Sequence, residues 1–261
     1  MSHSPPNPIT VTTAAPAVGH GCVDDIAELS KTIPLFPVDR EMWLADVAAA
    51  RAAAARRIGW AAIFLKAYAL VAREMPALRS WRAGRILPRI VTSSASVGVL
   101  AMNRVDDGTD RLFFARLASP DAASLPMLQA AIDRFATEPA ERVFKRQRQL
   151  ESVPRLLRRV ILSWNMRSMS PKRATRVGTF SLSTLAGFGA TNRFHPTLCT
   201  TSLSYGPLDA EGRCLVTTIA DHRVLDGAAV ARALGRLEEV LTTEIATELR
   251  SVPAAPAGVG A

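Results

Sequence analysis

Histidine, cysteine and tyrosine are scarce: the 261 residues include four His, three Cys and two Tyr. Cys22, Cys199 and Cys214 form an odd set without CxxC spacing, which suggests neither a disulfide framework nor a zinc site. No metal is therefore expected, and a reducing cytoplasm fits best. The chain also lacks a charged start followed by an apolar core. Met1 to Gly21 is rich in Pro, Ser, Thr and Ala and reads as a flexible tail, not as a secretory signal. A long hydrophobic run is missing too. The longest, Gly59 to Ala72, is interrupted by Lys66 and too short to span a bilayer, so a buried helix in a soluble protein is expected. With only 6% aromatic residues, the core must be mainly aliphatic.

What is present is enough hydrophobic content, 48%, to bury a substantial core, and a formal charge of +9 in which Arg far outnumbers Lys. That charge favours nucleic acid, anionic lipid or a phosphate-bearing carrier without choosing among them, and a solvated basic surface explains it equally well. Residues 142–176 hold eleven basic residues against Glu151 alone, a surplus of ten that exceeds the net charge of the whole chain. Leu156, Leu157, Val160, Ile161 and Trp164 are interleaved there at helical spacing, which describes an amphipathic basic helix. Two readings stay open for it: a solvated face or mobile connection, and a membrane-surface or carrier-binding element.

Along the chain, Met42 to Arg57 carries an Ala-rich helical pattern. A second helix is expected from Trp60 to Glu74, stopped by Pro76. Ile90 to Thr92 and Val97 to Leu100 read as strand, Asp106-Asp107-Gly108 as a turn, and Leu112 to Phe114 as a returning strand, together a hairpin. Ser124 to Phe135 has helical spacing, with Asp121 or Ser124 as its cap. Strands are expected at Gly178 to Leu182, Cys199 to Tyr205 and Cys214 to Ala220, before a closing helix at Val230 to Leu249 and a loose tail.

His3 and His20 fall in the leading tail, which leaves His195 and His222 as candidates for acid-base chemistry. His195, between Phe194 and Pro196, reads as loop structure. His222 stands in Ala220-Asp221-His222-Arg223-Val224-Leu225-Asp226-Gly227, directly after an apolar strand and before a helix, where a side chain is firmly held. A neutral imidazole there can accept a proton near physiological pH. By itself the pattern is equally that of a surface ion pair or a structural histidine, because short motifs arise by chance.

This stretch resembles the HxxxDG motif shared by chloramphenicol acetyltransferase and the catalytic domains of the 2-oxoacid dehydrogenase acyltransferases. Phe64-Leu65-Lys66-Ala67 through Met75-Pro76-Ala77-Leu78 resembles the helix of the latter that ends in Pro-x-Leu, and Ser96-Val97-Gly98-Val99 its following strand. Gly178-Thr179-Phe180-Ser181-Leu182-Ser183-Thr184-Leu185 is similar to their strand Gly-x-Phe-Thr-Ile-Ser-x-Leu. The likeness runs in order from Asp25 to Leu249.

The resemblance implies an α/β, chloramphenicol-acetyltransferase-like two-layer sandwich, a mixed β-sheet with helices packed on one face, occupying residues 25–249 between tails at 1–24 and 250–261. It implies a homotrimer with its active site in a channel between subunits. His222 matches the general base that deprotonates a thiol or hydroxyl. Ser183 matches the hydroxyl that hydrogen-bonds the oxyanion. Asp226 matches an aspartate that holds the local architecture through an arginine, for which Arg40 is one guess, and Gly227 would ease the turn into the helix.

Coenzyme A or an acyl-CoA is the expected substrate, with a small-molecule acceptor. No covalent lipoyl group is expected on this chain, so a lipoyl or acyl-carrier protein would act in trans. Two departures from the family pattern, Asp107-Gly108-Thr109-Asp110 and the basic stretch, fall where donor binding and assembly would be decided. Three functions remain: a CoA-dependent acyltransferase, which leads; a core or accessory subunit of a 2-oxoacid dehydrogenase complex; and a non-catalytic scaffold whose basic helix meets a membrane or carrier. Nucleic acid is not expected as a partner.

Overall fold

The computed structural model describes residues 21–84, 86–106 and 108–252. Asp107 of the expected turn, and the tail residues 1–20 (with His3 and His20) and 253–261, lie outside the described residues.

Helix α1, Gly21–Ser30, begins inside the stretch assigned to the leading tail, and it buries Cys22 and Asp25. Strand β1, Leu35–Trp43, was not anticipated; it takes Met42 from the expected helix, which starts later as α2, Ala45–Ala53. Pro37 and the run Asp39-Arg40-Glu41 hide the strand in the sequence. Among the described residues β1 pairs only with β8 (Arg213–Asp221), and such an edge position tolerates both proline and charge.

Helix α3, Trp60–Glu74, has the expected bounds and is buried from Ala62 through Ala72, as its all-round apolar character requires. Lys66 within it is neutralised by Glu248 and donates to the Ala123 carbonyl at 2.7 Å. A separate ribbon, β2 (Ser80–Ala83) with β3 (Arg89–Thr92), follows. The hairpin is β4 (Val97–Asp106) with β5 (Thr109–Ala118). α4, Leu125–Thr137, is capped by Ser124, whose hydroxyl accepts from the Met127 N–H.

Helix α7 (Arg155–Arg167), with the short helices α5 (Ala140–Val143) and α6 (Lys145–Glu151) before it and α8 (Lys172–Val177) after it, leads to β6 (Phe180–Leu182) and β7 (Thr201–Tyr205). After β8, helix α9 (Gly227–Val240) runs through a π-helical turn into α10 (Ala246–Arg250). Among the described residues no helix is long and apolar enough to cross a membrane.

The main sheet has the order β1-β8-β7-β6-β4-β5, mixed as expected: β6 is parallel to both β4 and β7, and the other pairs are antiparallel. One face packs against α2, α3, α4 and α9. Leu100, Phe113, Phe180, Leu182 and Leu203 enter that core, and Phe64 stacks on Tyr205 at 4.3 Å. This is the expected helical layer.

The opposite face carries a smaller cover that the sequence did not announce. Helices α1, α7 and α8 lie over its β4–β5–β6 end, held there by a few charges of the basic segment that turn inward. Arg158 and Arg159 both donate to the buried carboxylate of Asp25, at 2.5 and 2.8 Å. Arg111 joins Asp106 to Glu151, and Arg148 adds to Asp106. Arg173 donates to the Gly178 and Leu198 carbonyls and lies over the Trp81 ring. The solvated basic face is thus overturned at Arg158 and Arg159. On α7 several apolar side chains are exposed, Leu156 by 80% and Trp164 by 64%, while Met166 is buried.

Candidate active site

Strand β6 alternates as its sequence predicts. Phe180 and Leu182 enter the core, while Ser181 and Ser183 face the other way. Thr179 ties the strand to β4, its hydroxyl accepting from the Val97 N–H at 2.9 Å. Gly178, just ahead, has φ +98°, and a Cβ there would collide with the Val99 side chain. The Ser183 N–H donates to the Leu203 carbonyl at 3.0 Å. Its hydroxyl makes no hydrogen bond among the described residues. Instead it lines a cavity of about 320 Å³ between the sheet and helices α1, α6, α7 and α8.

His195 lines the same cavity, which a reading as plain loop structure missed. Its Nε2 is 2.6 Å from the Ser202 hydroxyl, which also accepts from Ser181 at 2.7 Å, and Ser181 meets Thr197 at 3.0 Å. Asn192 reaches Nδ1 at 3.2 Å. With the amide donating, the ring proton stands on Nε2 and points at Ser202. Burial pushes the His195 pKa down to about 4, so the ring is neutral at physiological pH. The only hint in the sequence was the rung pairing of Ser181 with Ser202, which requires knowing that β6 and β7 are neighbours.

Cys22 and Cys199 also line the cavity. Burial, followed by the Glu151 charge, pushes the Cys22 thiol up to about 12; burial also raises Cys199. Neither supplies a thiolate nucleophile.

His222 begins the turn after β8. Its N–H donates to the Pro34 carbonyl at 2.9 Å and its ring packs 4.6 Å from Phe36. The residue is exposed, and neither ring nitrogen is hydrogen-bonded among the described residues. The buried carboxylate of Asp221 fixes the turn by accepting from Arg223 Nε and Nη2 at 2.9 and 2.8 Å.

Asp226 does not pair with Arg40. That arginine donates to Glu238 at 2.7 Å, and among the described residues no arginine reaches Asp226. Its carboxylate instead accepts from the Ala229 N–H at 2.7 Å and caps α9. An exposed carboxylate at a helix start satisfies an orphan N–H and the helix dipole without a cation. Gly227 has no positive φ and open space about its Cβ position, so the turn does not depend on glycine there.

Ser183 and His222 are not brought together within the chain. Ser183 follows Leu182, which is level with Leu203 and Thr218; His222 lies two strands across and five rungs further along. At about 3.3 Å per rung and about 4.8 Å per strand, their Cα atoms are on the order of 19 Å apart. No pair of side chains can close that gap onto one reacting carbonyl.

No protein-family model matches the chain, and no curated protein does. Solved structures do: the architecture is that of the catalytic core of the dihydrolipoamide acetyltransferases, the fold the resemblance implied. A probable dihydrolipoamide acetyltransferase from Listeria monocytogenes superposes with a TM-score of 0.65 at 15% identity, over 95% of this chain and 99% of that one. The Azotobacter vinelandii dihydrolipoamide acetyltransferase, where a serine, a histidine and an asparagine were studied for their role in the catalytic mechanism, gives 0.65 at 17%, over 92% and 98%. A truncated catalytic core of the 2-oxoacid dehydrogenase multienzyme complex from Thermoplasma acidophilum gives 0.63 at 15%, over 90% and 99%.

Proposed function

We propose that the chain is an acyltransferase that moves an acyl group from a thioester, of coenzyme A or a lipoyl carrier supplied in trans, to an acceptor thiol or hydroxyl. The active site is made between subunits of a homotrimer, His222 of one meeting Ser183 of the next. The observation that carries this reading is the separation just derived. Two side chains of the right chemistry, each with its reactive atoms unengaged among the described residues, stand on the order of 19 Å apart in one chain and become useful only when a second copy supplies the partner.

His222 removes the proton from the acceptor as its sulfur or oxygen attacks the thioester carbonyl. The new bond turns the carbonyl oxygen into an oxyanion, to which the Ser183 hydroxyl donates. Collapse expels the donor thiolate, and the imidazolium returns the proton to it. Asp226 caps the helix that follows the His222 turn and thereby positions the imidazole.

Complementation tests the arrangement. His222→Ala and Ser183→Ala are each expected to be inactive or slow with acyl-CoA donors, and coexpression is expected to restore activity, since mixed trimers contain sites with both native side chains. Two inactive variants that stay inactive together would overturn the shared site.

A further inference from the structure

The cavity beside Ser183 has a chemistry that oxyanion stabilisation does not use. Its floor is Val99, Ala101, Leu112 and Phe114 of the sheet, and Ile26 and Ile161 close it from above. Three arginines, Arg116, Arg146 and Arg176, also line it, and no Asp or Glu does. Arg176 donates to the Asn165 amide oxygen, and Arg116 only to the Arg176 and Phe114 carbonyls, at 3.0 and 3.3 Å. Among the described residues none of the three pairs with a carboxylate. Burial, and after it the charge of Arg146, lowers the Arg116 pKa. Arg116 is half-buried and has no carboxylate partner among the described residues, so an anion entering the cavity supplies the missing counter-charge.

The placement of these groups sets the shape of the ligand. Arg116 shares a rung with Val99, and Val99 with Ser181, so the arginine stands at the β5 edge and the hydroxyls two strands away, with apolar floor between. A bare inorganic anion would leave that floor empty, and a neutral hydrocarbon would leave the arginines unpaired. We propose that the cavity binds a medium-length aliphatic carboxylate, its chain lying on Val99, Ala101 and Phe114 and its carboxylate on Arg116 beside Arg146. The volume of about 320 Å³ falls at the lower end of the range for small-molecule sites. Binding does not require acyl transfer, so this inference stands or falls apart from the function above.

Calorimetric titration of the full chain with decanoate, decan-1-ol and acetate tests it. Decanoate is expected to bind saturably, one per chain, with the alcohol and acetate each weaker by roughly tenfold or more, the worth of a charge-assisted pair and of apolar burial respectively. Arg116→Gln is expected to weaken decanoate by about tenfold and leave decan-1-ol unchanged. Arg146→Gln, at an exposed side chain, should weaken decanoate in the same direction, with the far-ultraviolet circular dichroism spectrum checking the fold. Equal affinity for decanoate and decan-1-ol, absence of saturable decanoate binding, or decanoate affinity untouched in a folded Arg146→Gln protein would each overturn the proposal.

Discussion

The imidazole of His195 and the hydroxyl of Ser202 stand 2.6 Å apart, at the head of a chain of hydroxyls that passes through Ser181 to Thr197. This contact holds the loop after β6 onto the sheet and requires the ring to stay neutral, because its surroundings offer no carboxylate among its hydrogen-bond partners.

Stability should therefore depend on pH through His195. Its folded pKa of about 4 lies below the ordinary value of 6.5, so between them the unfolded chain binds more protons than the folded one. The stabilisation is complete above about pH 6.5 and is lost as pH falls toward 4, amounting to at most about 3 kcal/mol. Thermal melts across that range should show the decline, and His195→Gln should flatten it. An equal slope in the variant would assign the effect to other groups.

Asp25 offers a second test. Its carboxylate is fully buried and receives both Arg158 and Arg159, the charge-assisted bonds that dock α7 on α1. Asp25→Ala should cost about 3–5 kcal/mol in urea unfolding, since it strands a buried guanidinium. A loss below about 1 kcal/mol would mean that the arginines find other partners.

For Asp226 the cap and the ion pair make different forecasts. As a helix cap, Asp226→Ala should cost about 1 kcal/mol while Asp226→Asn keeps nearly all the stability, because an amide oxygen also accepts from the Ala229 N–H. If the two variants were equally destabilised, charge and not capping would be the cause.

Ser183→Ala should slow acyl transfer by roughly one to three orders of magnitude with no change in melting temperature, as expected for an oxyanion donor whose hydroxyl holds nothing in the resting protein. His222→Ala should abolish transfer and leave the fold intact, given an exposed ring in contact with Phe36. Unchanged turnover in both, measured by thiol release from acyl-CoA, would remove the mechanism.

Gly178→Ala should destabilise by more than about 1 kcal/mol, since φ +98° is poorly suited to a side chain and the added methyl meets Val99. A neutral outcome would show that the turn into β6 can shift freely.

Much of the architecture could be read from the residues in order. α3 was legible because a mainly apolar run of helical length, interrupted only by Lys66 before Arg73, lies between Gly59 and Pro76, and the β4–β5 hairpin because Asp106 and Gly108 interrupt two apolar strands. The serine face of β6 followed from period two alone. β1 was not legible: proline and three charges conceal a strand whose partner, β8, lies about 180 residues away.

Local patterning by itself determined α3, α4, the β4–β5 hairpin and β6 to β8, that Ser183 and Phe180 look opposite ways, and that His222 follows a strand. It could not decide what faces what across the chain. Only the tertiary structure turned Arg158 and Arg159 inward, because the Asp25 carboxylate on α1, 133 residues before Arg158, is where their charge is neutralised. Only the sheet order brought His195 onto Ser202 and set Ser183 and His222 too far apart to act within one chain. Each of these outcomes depends on pairing between distant segments, a free energy that no short stretch of sequence contains.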